Sequence, residues 1–118
     1  MSKHAINIFN ISIYKSLINQ YNSNLNALIK YNTIYEKMDG YYTKDEMHYI
    51  VEVYMNQLFD IINSKSFSLF VPEKARREIN KYISPIKAQF SQDNYRQVIK
   101  NFNNIKNIFF VDVEYPEQ

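Results

Sequence analysis

The chain is predicted to be an all-α helical bundle built on a long antiparallel hairpin. Three observations predict it. Ile11, Tyr14, Ile18, Tyr21, Leu25, Leu28, Asn32 and Tyr35 follow one another in unbroken steps of three and four, the seam of a long helix laid along a partner helix. One glycine and three prolines in 118 residues leave too few tight turns for a sandwich, a barrel or a Gly-rich phosphate loop. There is no cysteine, which excludes disulfide scaffolds, zinc fingers, iron–sulfur clusters and thiol nucleophiles together. The length suits a single domain spanning 1–118, large enough to bury a core unaided.

The first helix is expected over about 10–38, with Asn10 as its N-cap. Residues 1–10 read either as a short alternating strand or as an early helical start. Leu17, Tyr31 and Met38 flank the seam and widen the apolar face, which suits a bundle better than a two-stranded coiled coil. Asn32 lies on the seam and is expected near a wet end of the helix. Asp39-Gly40 stops this helix, since glycine tolerates the left-handed turn.

Thr43-Lys44-Asp45-Glu46 is a capping box, and it starts a second helix to about 64 with Met47, Val51, Tyr54, Leu58 and Ile61 inward. The short link makes the two helices antiparallel. Phe67, Leu69 and Val71 alternate with Ser68 and Phe70, which reads as a strand-like connector. Pro72 suits the first position of a third helix over about 72–90, with Ala75, Ile79, Tyr82, Ile83, Ile86 and Phe90 on one face. Pro85 is expected to kink it or split it at Ser84. Ser91 is expected to cap a fourth helix over about 91–106, weakened by Asn101, Asn103, Asn104 and Asn107. Ile108 to Tyr115 is β-branched and aromatic, and reads as a C-terminal strand or extended tail able to pair with Phe67–Val71.

Chemistry finds little support. Asp45, His48 and Glu52 share one helix face, half of a bundle metal site. No inward carboxylates answer them from the other helices, so a solvated face with a weakly paired histidine is expected, without metal or cofactor. Neither a nucleophile elbow nor an inward carboxylate pair is present, and no catalytic residue is assigned. With 11 Tyr and 8 Phe, no single ring stands out as an acid or nucleophile. Residues 72–107 hold eight basic and three acidic side chains, and residues 108–118 hold three acidic ones. Lys74, Arg77, Lys81, Arg96 and Lys100 form the candidate contact set, joined by Phe109, Phe110 and Tyr115 of the tail. Glu73–Arg77 and Lys74–Glu78 are spaced as i,i+4 pairs that would neutralise part of it.

The architecture, a Lys- and Tyr-rich bundle of four helices with a structured C-terminal tail, loosely resembles bacteriocin immunity proteins. The expected function is non-catalytic binding of another protein, as an adaptor, inhibitor or immunity-type protein, with a homodimer through the hairpin as one form. The alternative is a nucleic-acid-binding accessory protein using the basic face, against which the net charge of only +2 weighs. Asn, Ile, Lys, Tyr and Phe are residues of AT-rich codons and fit a phage, plasmid or virus. No run approaches the roughly 20 apolar residues of a membrane span, and no secretory signal is visible. The expected location is the cytoplasm of its own cell or of an infected host.

Overall fold

The computed structural model describes the backbone of residues 8–112 and the side chains of residues 12–109. It is an all-α bundle, elongated at 54 × 24 × 19 Å, with six helices among the described residues. These are α1 (Ile8–Lys37), α2 (Lys44–Ile62), α3 (Lys65–Phe70), α4 (Glu73–Asn80), α5 (Ile83–Ser91) and α6 (Tyr95–Asp112). No helix among the described residues is long and apolar enough to cross a membrane.

α1 and α2 form the predicted hairpin. Gly40, at φ +78°, turns the chain between them. The capping box forms as written: the Glu46 amide donates to Thr43 Oγ1 at 3.0 Å, and the Thr43 amide donates to Glu46 Oε1 at 2.8 Å. The α1 seam is the core's longest strip. Tyr14, Ile18, Tyr21, Leu25, Leu28 and Asn32 are all buried, and Tyr35 is half-buried. At 30 residues α1 is about 45 Å long. It therefore outreaches α2 and also packs on α3 and α6.

Two seam tyrosines bolt α1 to α6. Tyr21 Oη donates to the Phe102 carbonyl at 2.7 Å, and Tyr14 Oη donates to the Phe109 carbonyl at 3.3 Å. A helical carbonyl has a second lone pair free to accept such a bond. Burial pushes the Tyr21 phenol well above its ordinary pKa, so it stays a donor. Tyr35 meets Tyr95 at the opposite end of the pair, so α6 runs antiparallel to α1.

Several expectations are corrected. Asn10 lies within α1, which begins at Ile8, and is not its N-cap. Residues 65–70 are helical, not strand-like. Ser64 Oγ accepts from the Phe67 amide at 3.1 Å and caps α3. Phe67, Phe70 and Val71 are buried while Leu69 is 75% exposed, a helical rather than an alternating phase. The third helix divides, but at Lys81–Tyr82 rather than at Ser84. A proline ring clashes with the carbonyl four residues earlier, which for Pro85 is Lys81. Pro85 thus sits in the first turn of α5, where its missing N–H has no helical partner to lose.

Ser91 ends α5 and does not cap α6; its Oγ donates to the Lys87 carbonyl at 3.1 Å. The turn is a Schellman motif with Asp93 in the left-handed conformation at φ +57°. There the Asp93 amide donates to the Phe90 carbonyl at 3.0 Å, and the Asn94 amide to the Gln89 carbonyl at 2.9 Å. Finally, the chain from Ile108 to Asp112 continues α6 as helix. Tyr95, Val98, Phe102, Ile105 and Phe109 carry a three–four spacing through it, and all five are buried. The expected strand pair with Phe67–Val71 is replaced by an edge-to-face contact of the Phe67 and Phe109 rings, 5.5 Å apart. Val113, Glu114 and Tyr115 lie outside the described residues.

Candidate interaction surface

The predicted basic set falls into two groups. Lys74, Arg77 and Lys81 follow α4 into its C-terminal cap, pointing away from buried Ala75 and Ile79. Arg96 and Lys100 lie on the outer face of α6, opposite Val98 and Phe102. Three of the five are matched by carboxylates. Arg77 Nη1 meets Glu73 Oε2 at 3.3 Å, and Lys81 Nζ meets Glu78 Oε1 at 2.9 Å in place of the expected Lys74–Glu78 pair. Arg96 makes a fork to Glu36, Nε to Oε2 at 2.7 Å and Nη2 to Oε1 at 3.0 Å. Lys74 and Lys100 have no ion pair among the described residues. Phe109 is buried against Tyr21 and Phe67, so it belongs to the core and not to an exposed contact face. The Phe110 side chain and Tyr115 lie outside the described residues.

Asn32 is buried, not wet. Its Nδ2 donates to Glu36 Oε2 at 3.2 Å, so Asn32, Glu36 and Arg96 form one polar string from the α1 seam to α6. The bond from Arg96 is the main reason Glu36 titrates below the ordinary carboxylate range, and Glu36 raises Arg96 in return. Because the native state holds fewer protons on Glu36 than the unfolded chain, its contribution is complete above the unfolded pKa, about 4.3. It is lost as pH falls through the lower folded value. Glu36→Gln is expected to lose less stability on acidification than the wild type, measured by urea unfolding between about pH 3 and pH 7.

His48 is better partnered than its helix face suggests. Its Nδ1 lies 3.2 Å from Asp93 Oδ1 and 3.2 Å from Tyr95 Oη, and Tyr95 Oη donates to Asp93 Oδ1 at 2.9 Å. The imidazole packs on Phe90, ring centroids 4.3 Å apart. Tyr95 and His48 hold the Asp93 carboxyl low, and burial with Asp93 alongside raises the Tyr95 phenol. This cluster ties α2 to the α5–α6 turn. Asp45 and Glu52 take no part in it, and no group of three metal-ligating side chains occurs among the described residues.

The surface that composition did not single out is the hairpin end. Met38 is 51% exposed and Tyr41 59% in the α1–α2 link, with Tyr49 at 66% on the outer side of α2. Tyr49 is about 8 Å along the axis from the start of α2. Tyr41 continues into a chain of tyrosines: Tyr41 to Tyr42 at 4.9 Å, Tyr42 to Tyr31 at 6.1 Å, and Tyr31 to Tyr54 at 5.7 Å. Packed rings of this kind hold an exposed aromatic in one place and reduce the entropy lost on binding. The signal available in sequence was Tyr41-Tyr42 directly after Gly40, in a link too short to bury both rings. No family model matches the chain, and neither a curated protein nor a solved structure matches it.

Proposed function

We propose that the protein is a non-catalytic protein-binding module, an adaptor or inhibitor, that docks a partner through the hairpin end. The observation that carries this reading is the exposure of Met38, Tyr41 and Tyr49 near the hairpin end, with Tyr41 packed on the Tyr42–Tyr31–Tyr54 chain. Tyrosine and methionine are enriched at interface cores, and a pre-packed ring makes an effective anchor. The partner therefore presents an apolar pocket to these side chains.

The test is co-purification from the source cell with nuclease treatment, comparing the wild type with a Met38→Ser, Tyr41→Ser, Tyr49→Ser triple variant. All three side chains are exposed, so the fold is expected to survive, as circular dichroism checks. A nuclease-resistant protein partner lost from the variant supports the reading. A partner retained by the variant, or one released by nuclease, overturns it.

A further inference from the structure

At the other end of α2 a second feature has no part in that reading. Between α3 and α4 lies a cleft of about 240 Å³, in which Asn63, Lys65, Arg76 and Asn80 stand over the buried Phe67 and Ile79. Among the described residues no carboxylate lines it. The Arg76 Nε is shut off from solvent and has no hydrogen-bond partner among the described residues. A guanidinium keeps its charge at any physiological pH, and Arg76 makes no ion pair among the described residues. The carboxylates of its own helix are committed elsewhere, Glu73 to Arg77 and Glu78 to Lys81. Lys65 likewise has no ion pair among the described residues. The hydroxyls of Ser64 and Ser68 donate to the Ile61 and Lys65 carbonyls, each at 2.8 Å, so neither hydrogen is free for a ligand.

We infer that this cleft binds an oxyanion of the phosphoryl type. Arg76 and Lys65 supply the two positive charges, and the side-chain amides of Asn63 and Asn80 supply neutral donors. Two cations match a dianion, whereas a carboxylate leaves one of them unanswered. The planar guanidinium fork suits tetrahedral oxyanions, which it grips with paired N–H groups. Pockets for whole drug-sized ligands run to about 300–1,000 Å³. The cleft is smaller, so it takes the phosphoryl group and a few attached atoms. That ligand is a free phosphate, a small phosphate monoester, or a phosphoryl group carried on a side chain.

Titration calorimetry with inorganic phosphate and with O-phosphoserine, at ionic strength held constant with sodium chloride, tests this. One-to-one saturable binding of either probe is expected. Inorganic phosphate binding alone assigns the free anion; tighter binding of O-phosphoserine assigns a side-chain-borne group. Arg76→Gln is expected to weaken binding about tenfold or more, the usual effect of losing a charged hydrogen-bond donor. Arg77→Gln, whose partner is Glu73, is expected to leave it within about twofold. Lys65→Gln changes an exposed side chain and gives a severalfold loss even if Arg76→Gln fails to fold. Absence of saturable binding to both probes overturns the inference. So does equal affinity in the wild type and the Arg76 and Lys65 variants.

Discussion

Tyr21→Ala is expected to lower the unfolding free energy by about 3–5 kcal/mol, the range for deleting a large buried ring. A domain of this size has a total of about 5–15 kcal/mol, so the variant sits near the edge of folding. Tyr21 is fully buried at the middle of α1, edge-to-face with Phe109 at 5.0 Å and near Phe102 at 6.5 Å. Its hydroxyl also holds the Phe102 carbonyl. Tyr21→Phe separates the two roles. It keeps the ring and loses the bond, for an expected cost of about 1 kcal/mol. Urea unfolding followed by circular dichroism measures both. Near-equal losses in the two variants would place the hydroxyl, and not the ring, at the centre of the α1–α6 joint.

Phe67→Ala is expected to cost about 3–5 kcal/mol, while Leu69→Ser two residues on is expected to stay within about 0.5 kcal/mol. The pair reads the helical phase of residues 65–70. Phe67 is 2% exposed and meets Phe109 across the bundle, whereas Leu69 points to solvent. An alternating strand would bury both. Hydrogen exchange adds a local reading: in Phe67→Ala the α3 amides are expected to exchange faster than those of the α1–α2 hairpin, because Phe67 is the main anchor of so short a helix. Similar losses in Phe67→Ala and Leu69→Ser would contradict the helical assignment.

The bundle was legible where periodicity ran long. The seam from Tyr14 to Leu28, the Gly40 turn and the Thr43–Glu46 box are local patterns, and local physics decides them. The errors fell where a short segment carried two patterns at once. Phe67, Leu69 and Val71 alternate, but Phe67, Phe70 and Val71 also fit a helix, and the Ser64 cap together with the core contact of both Phe rings selected the second. Ile108 to Val111 has β-forming composition, yet Phe109 continues the Phe102–Ile105 spacing, and tertiary packing overrode propensity. Pro85 marks a break in the third helix, but its ring acts on the carbonyl of residue 81, so the helix divides before Ser84.

The surface was less legible because pairing is three-dimensional. Arg96 and Glu36 lie 60 residues apart, and His48 and Asp93 lie 45 apart. No spacing rule connects them, so Arg96, counted in the basic face, was already matched to Glu36. Asn32 illustrates the same limit. Its burial on the seam is tolerated because Glu36 accepts its amide and Arg96 holds Glu36.

The proposed docking surface is tested most directly by photo-crosslinking in the source cell, with benzoylphenylalanine placed at position 41 and, separately, at position 100. Tyr41 belongs to the exposed hairpin trio; Lys100 belongs to the outer face of α6. A discrete protein adduct from position 41, absent from position 100 and resistant to nuclease, is the predicted result. Adducts from position 100 alone, or adducts that nuclease removes, would contradict it.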